Sequence, residues 1–396
     1  MPDVLVNAAP SGRKRIAVAM SGGVDSSVVA CLLARAGHDV VGFTAWTLDG
    51  PGKCCNDALI KAGRVCEQLG VPYDTVDLRA MFSHYVLDYY NRSYAEGLTP
   101  NPCVECNQYV KWEALAAYAR EALGADFLAT GHYARIDRRG GRPRLFRAAD
   151  ARKDQTYMLA RVRSQDLETA LFPLGDLVKP QVVAMAREMG IAEADGKESQ
   201  DVCFAMNGHA AYIQGALGKQ PGPIVDLDTG RTLGRHEGFY AFTVGQRKGL
   251  GGGASRPVYV VRVDAASNTV YVGDACHLES SRLTALDVRW LGDAPREPSF
   301  RAAVKIRYAA PPAQAGICPA ETPGAYLIEA QTPLNAVTAG QVCAIYDADF
   351  VELLGGGYIE RFLPQTTFDA SAQNAPSAPA SSCSLPLGSS PIESRC

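Results

Sequence analysis

The stretch Arg15-Ile16-Ala17-Val18-Ala19-Met20-Ser21-Gly22-Gly23-Val24-Asp25-Ser26-Ser27 decides the fold. Arg15 to Met20 is an apolar run of strand length, the Ser-Gly-Gly turn breaks it, and a helix is predicted from about Val24. The glycines let backbone amides at the helix N-terminus approach an anion such as a phosphate chain. The unit then recurs. Val40 to Ala45 reads as a strand, Ala58 to Leu69 as a helix, Tyr73 to Leu78 as a strand and Met81 to Tyr94 as a helix. A helix from Gln108 to Leu123 leads into a short strand, Asp126 to Thr130. Short apolar strands alternating with amphipathic helices predict a parallel, doubly wound, Rossmann-like sheet.

After about residue 205 the texture changes to Gly/Pro punctuation and short alternating runs, such as Pro257 to Asp264 and Thr269 to Gly273. That is an antiparallel signal. It continues through Leu286, Arg301 to Arg307, Ala325 to Glu329 and Gln341 to Tyr346, which suits a small β-barrel. The expected class is therefore α/β, with an N-terminal Rossmann-like domain over 14–205, a small β-rich central domain over 206–278 and a C-terminal β-barrel over 279–362. A flexible leader, 1–13, precedes them. The Ser- and Pro-rich tail, 363–396, has too few large apolar groups to offset its ordering entropy and reads as disordered.

The chain has 396 residues, 47% of them hydrophobic, enough for more than one core. No run of about 18 apolar residues occurs, and the first basic cluster follows apolar residues rather than preceding an export core, so a cytoplasmic protein without a membrane span is expected. Twelve cysteines in such a chain point to reduced thiols that are buried, catalytic or metal-binding. Cys31, Cys66, Cys318 and Cys343 lie in apolar patterns and read as core. The formal net charge of −3 does not advertise nucleic-acid binding, yet eight Arg and Lys between Arg135 and Lys153 face only Asp137 and Asp150. That stretch reads either as a basic patch or as a solvated hairpin around Arg-Arg-Gly-Gly-Arg-Pro-Arg.

The loop Met20 to Ser26 lacks the lysine of a GxxxxGK[ST] loop and resembles the PP-loop of ATP pyrophosphatases, which cut ATP between its α and β phosphates. The resemblance implies that Asp25 and Ser26 help hold Mg²⁺ and pyrophosphate. Downstream, Asn101-Pro102-Cys103-Val104-Glu105-Cys106-Asn107 puts a CxxC at the predicted start of a helix, where the dipole is expected to lower thiol pKa. Alone, a CxxC is ambiguous among redox, zinc and iron–sulfur roles. A third cysteine, Cys203, sits in the polar run Lys197-Glu198-Ser199-Gln200-Asp201-Val202-Cys203-Phe204.

Together SGGVDSS (21–27), TPNPCVECN (99–107), TGHYAR (130–135), KDQTYML (153–159), KESQDVCF (197–204) and TVGQRKGLG (243–251) resemble, in order, the tRNA-specific 2-thiouridylase family over roughly 14–362. The resemblance implies ATP-dependent replacement of a wobble-uridine oxygen by sulfur, on a three-domain protein that grips the tRNA anticodon arm, as a monomer supplied by a cysteine desulfurase or sulfur relay protein. It implies Cys203 as persulfide carrier, Cys106 as the thiol that closes a disulfide with it, and Asn101, Pro102 and Cys103 against the target base. ATP would contact Ala19, Met20, Ser21, Gly22, Gly23, Val24, Asp25, Ser26, Ala45 and Gly131. His132, Lys153, Asp154, Gln155, Arg307, Tyr308 and Gln341 match tRNA-contacting positions, and the basic stretch gains a reason to exist. One departure stands out: many members carry Asp where this chain has Cys103, and that Asp is assigned acid–base work. The alternative is a 4Fe-4S cluster held by Cys103, Cys106 and Cys203, with one iron left open for sulfide.

Overall fold

The computed structural model describes residues 11–48, 53–139, 141–191, 202–250 and 256–360. In chain order its strands are β1 (Arg15–Ala19), β2 (Asp39–Trp46), β3 (Tyr73–Asp77), β4 (Phe127–Ala129), β5 (Ala134–Asp137), β6 (Arg144–Arg147), β7 (Ala170–Leu171), β8 (Gly222–Asp226) and β9 (Thr232–His236). They continue with β10 (Tyr259–Asp264), β11 (Thr269–Gly273), β12 (Glu279–Trp290), β13 (Phe300–Lys305), β14 (Ala313–Pro319), β15 (Tyr326–Asn335), β16 (Val342–Tyr346) and β17 (Glu352–Ile359). The first sheet has the order β3-β2-β1-β4-β7 and is parallel throughout. The Rossmann-like expectation holds. Helix α1 (Val24–Arg35) buries Val28, Val29 and Leu33 against one face, with the helix Lys179–Glu188 packed beside it through Val182 and Ala186. Helix α2 (Lys53–Leu69) joins the same core through Ala62, Val65 and Cys66.

The other face carries two long helical runs, 79–95 and 102–121. Each contains a π-helical segment, Ser83–Asp88 and Cys106–Leu115. The second run starts six residues before the periodicity of the sequence suggests, because Pro102 sits in the first turn and Asn101 caps it, its Oδ1 accepting from the Cys103 amide at 3.1 Å. The CxxC thus lies inside a helix.

A four-stranded sheet, β10-β11-β8-β9, forms the central unit. Its core takes Tyr90 and Tyr94 from the 79–95 helix, four residues apart and so on one helical face. The alternating texture there concealed one helix, His209–Leu217. The barrel is the cycle β12-β15-β14-β13-β16-β17, closed by the β12–β17 pairing. Beyond the sequence reading, the hairpin β5–β6 of the N-terminal segment pairs through β6 with β17 and extends the barrel sheet. One core cluster accordingly runs from Ala17, Phe43 and Trp112 to Leu145, Tyr157, Ala344 and Tyr346.

That hairpin settles the basic stretch. Arg138 donates to the carbonyls of Leu167, at 3.0 Å, and Ala170, while Arg139 pairs with Asp137 at 2.8 Å. Arg142 pairs with Asp293 at 2.7 Å, Arg144 forks onto Glu352, and Arg147 Nε reaches Asp154 at 3.1 Å. Most of these arginines are turned onto internal carbonyls or carboxylates, several of them on the barrel. Through β6 and these pairs the stretch ties the N-terminal segment to the barrel sheet. Among the cysteines read as core, Cys31, Cys66 and Cys343 are buried free thiols, whereas Cys318 is half-buried on β14 and, like Cys276, disulfide-bonded, contrary to the expectation of reduced thiols throughout. Among the described residues no helix is long and apolar enough to cross a membrane.

Candidate active site

A cavity of about 510 Å³ opens at the C-terminal ends of β1, β2 and β4. This is where an open α/β sheet places a ligand, because its glycine turns and helix N-termini converge there. Its wall includes Ala19, Met20, Ser21, Asp25 and Ser26 from the β1–α1 turn, Ala45 from β2, and Gly131 and His132 after β4. Pro102, Cys103, Cys106 and Lys111 of the 102–121 helix face it, as do Gln155 and the segment Val202-Cys203-Phe204. Residues spread over nearly two hundred positions therefore share one chamber.

The phosphate loop has the build its composition predicts. Gly22 has φ +70°, and a Cβ there would lie 2.8 Å from the Ala58 backbone, so only glycine lets the loop pass α2. Gly23 precedes the first turn of α1; its carbonyl accepts from the hydroxyls of Ser26 and Ser27 at 3.1 and 3.0 Å. Ser21 and Ser26 hydroxyls lie 3.2 Å apart, and the Ser21 amide donates to Ser26 Oγ at 3.1 Å. Gly131 makes the second close approach, since a Cβ would meet Asp25 Cβ and the Ser26 amide at 3.0 Å. Gly22, Gly23 and Val24 shape this turn without themselves facing the cavity.

The thiols depart from expectation. Cys103 is open to the cavity and Cys106 is half-buried behind it. Burial pushes the Cys103 thiol up and the Cys106 thiol up to about 11, while the Lys111 cation pulls both down. For Cys103, protein crowding and an accessible sulfur coexist because the crowding comes from the walls of a cavity that solvent enters. Desolvation is the largest influence on both thiols, so the expected lowering does not appear.

Lys111 escaped the reading of the sequence. It lies five residues after Cys106, and in the π-helical Cys106–Leu115 segment residues i and i+5 are one turn apart, so both line the chamber. An ordinary α-helix would turn them away from each other. Lys111 Nζ stands 3.5 Å from His132 Nε2. An ammonium only donates, so Nε2 is the acceptor and Nδ1–H donates to Thr130 Oγ1 at 2.7 Å. Burial holds His132 well below the usual histidine range, and the Lys111 charge acts in the same direction. His132 is a neutral acceptor inside the chamber wall.

The remaining named positions frame the site. Asp154 is buried, its carboxylate engaged by Arg147, the Ala148 amide at 3.2 Å and the Thr156 hydroxyl at 3.0 Å, which makes it a scaffold for Gln155. Gln155 Oε1 accepts from the Tyr133 amide at 3.0 Å and faces the cavity. Gln341 donates to the Thr99 carbonyl at 3.0 Å, and the Thr99 amide donates to Ala339, so a barrel turn grips the loop that leads into the CxxC. Arg307 donates to the Asn335 carbonyl at 2.7 Å, and Tyr308 is exposed beside Lys305. Arg307, Tyr308 and Lys153 lie outside the chamber wall. Residues 197–201 and the side chains of Cys54 and Cys55 fall outside the described residues. Among the described residues no group of three or more His, Cys, Asp or Glu is arranged to hold a metal, and this includes Cys103, Cys106 and Cys203.

Three family models match nearly all of the described chain, one after another. A tRNA methyl transferase HUP domain matches residues 14–207, a tRNA methyl transferase PRC-barrel domain 210–274 and an aminomethyltransferase β-barrel domain 280–359. The tRNA-specific 2-thiouridylase MnmA of Synechococcus sp. JA-2-3B'a(2-13) is 45% identical over 90% of this chain and 97% of its own length. The chain belongs to the tRNA-specific 2-thiouridylase family. The member from Chloroflexus aggregans is 45% identical over 87% of this chain and 98% of that protein. The member from Trichormus variabilis is 42% identical over 88% of this chain and 99% of that protein. Among solved structures, the U34-tRNA thiolase NcsA of Methanococcus maripaludis, with its [4Fe-4S] cluster, is 18% identical over 50% of this chain and 66% of that chain, at a TM-score of 0.34.

Proposed function

We propose that the chain uses ATP to exchange the carbon-2 oxygen of a tRNA wobble uridine for sulfur carried on Cys203. One observation carries the reading: the loop built for a phosphate chain and Cys103, Cys106 and Cys203 line the same cavity. A PP-loop synthetase acting on a small metabolite would need the loop and not the thiols.

The uracil carbon-2 oxygen attacks the α-phosphate, and the bond to the β-phosphate breaks with its electron pair leaving on pyrophosphate. The N-terminal turn of α1, where Asp25 and Ser26 line the cavity, faces that developing charge. Asp25 and the Ser21 and Ser26 hydroxyls supply the oxygen ligands that Mg²⁺ prefers, and the ion would add neutralising charge there. The outer sulfur of a Cys203 persulfide attacks carbon 2 and AMP departs. The Cys106 thiolate then attacks the Cys203 sulfur, the sulfur–sulfur bond breaks toward the base, and 2-thiouridine leaves as a Cys106–Cys203 disulfide forms. An external thiol reductant restores both thiols. Because carbon 2 is hidden in a stacked anticodon, the uridine must be flipped into the chamber, against Asn101, Pro102 and Cys103. His132, Lys153, Asp154, Gln155, Arg307, Tyr308 and Gln341 would border the tRNA, and a cysteine desulfurase or sulfur relay protein would load Cys203. Among the described residues no group of three or more His, Cys, Asp or Glu is placed to hold a metal ion, and the steps run through Cys106 and Cys203 as thiols.

The test is Cys203→Ser assayed with unmodified tRNA, ATP and a persulfide donor. Pyrophosphate release should continue for one turnover per site while 2-thiouridine falls below detection. Persisting thiolation would refute the role of Cys203.

A further inference from the structure

A second cavity, of about 1090 Å³, lies where the 79–95 helix, the β10–β11 turn and the barrel meet. Glu105 and Tyr109 of the 102–121 helix line it, while Cys103, Cys106 and Lys111 of the same helix line the active-site chamber. The two cavities share no residue. Four carboxyl groups face the second one, Asp88, Glu96, Glu105 and Glu360, against the guanidinium of Arg92 and the imidazole of His84. Such a wall repels a phosphate chain or a nucleic-acid backbone. Nor do the carboxyl groups converge on a point, since among the described residues no three His, Cys, Asp or Glu could hold a metal ion. Asp88 and Glu96 are eight residues apart on one helical run, about 12 Å along its axis.

Glu105 shows what the cavity lacks. It is only 3% exposed, and its Oε1 accepts from the Tyr358 hydroxyl at 2.6 Å, but Oε2 has no hydrogen-bond partner among the described residues. Burial, the largest influence, pushes this carboxyl up against the pull of the Tyr358 hydrogen bond and of Arg161 and Arg289. The Arg161 guanidinium is already committed, bonded to Asp287 at 2.6 Å and stacked over the Tyr358 ring. A further cation in the cavity would offset the cost of the buried charge. Between the carboxyl groups the walls are aromatic. Tyr85 and Tyr109 stack with centroids 4.3 Å apart, and Tyr89 and Tyr358 line the same space. Tyrosine rings accept methylene groups by burial and ammonium groups through their faces.

We propose that this cavity binds an extended organic polycation, an alkyl polyamine, with one ammonium on Glu105 Oε2 and the others toward Asp88 and Glu96. Charges strung along a methylene chain match carboxyl groups that are spread apart, whereas a compact metal ion needs them gathered. Glu105 lies between Cys103 and Cys106, so the occupant rests on the back of the helical turn that carries both thiols.

The experiment is titration calorimetry on the full chain without tRNA, at fixed ionic strength, with spermidine as the probe. One molecule should bind per chain with Kd below about 1 mM, and n-butylamine should bind at least about ten times more weakly. Glu105→Gln should weaken spermidine about tenfold or more. Asp88→Asn, an exposed change that tests the site even if Glu105→Gln does not fold, should weaken it about threefold. Glu121→Gln alters an exposed carboxyl outside the cavity and should leave the affinity within about 1.5-fold. No saturable binding below about 1 mM, equal affinity for n-butylamine, or unchanged affinity in either cavity variant overturns the assignment. Equal weakening by Glu121→Gln does so too, because it would reduce binding to diffuse attraction by surface charge.

Discussion

Lys111 and Cys106 share one face of a helix only because the backbone between them is π-helical. A π-helical turn costs intrahelical hydrogen-bond quality, and such turns concentrate where a side chain must be re-aimed. Here it brings a cation toward two thiols that burial drives toward the neutral form. The same cation stands where charge develops on sulfur, so Lys111→Met should lower the thiolation rate by roughly tenfold to a hundredfold, with tRNA affinity changed less than about threefold. Single-turnover thiolation and a binding titration separate the two. Equal loss in both would reduce Lys111 to a tRNA contact. Cys103 belongs to the same scale. It presents a thiol to the chamber, and burial makes that thiol a weaker acid.

The hairpin β5–β6 shows how an element can mislead by composition. Its arginines suggest a phosphate-binding surface, yet Arg142 and Arg144 reach Asp293 and Glu352, and Arg138 and Arg147 are turned inward. These exposed pairs are each worth at most about 1 kcal/mol, so their part is to orient the hairpin. Replacing Arg142 and Arg144 together with Ala should leave the salt dependence of tRNA binding unaltered and lower stability by about 1 to 2 kcal/mol. A fall of the log–log salt slope by about two would instead show that both arginines neutralise phosphates.

At the scale of the molecule, the barrel is continuous with the N-terminal segment through β6–β17 pairing and through a shared core containing Trp112, Tyr157 and Tyr346. The Gln341–Thr99 and Thr99–Ala339 hydrogen bonds add a grip on the loop before the CxxC. Two units joined by a common core should lose it together. Single-tryptophan variants retaining Trp112 or Trp290 should therefore report the same urea midpoint within about 0.3 M. Midpoints separated by more than about 1 M would mean that the barrel unfolds independently and that its contacts do not stabilise the active-site loop.

By itself, the sequence determined the parallel sheet, the phosphate turn and the existence of a barrel. Each of these is written in local periodicity and in glycines such as Gly22, whose φ no other residue adopts without strain. It also made Cys103 and Cys106 candidates as a CxxC at a helix start, and Cys203 one through its polar neighbours, which set it apart from Cys31, Cys66 and Cys343. Only the tertiary structure decided which charges serve the site. Lys111 carries no motif that distinguishes it from a surface lysine, and nothing local in 135–147 names the carboxylates, Asp293 and Glu352, that its arginines meet. A charge takes its meaning from the partner within hydrogen-bond reach and from the water excluded around it, and both come from distant parts of the chain.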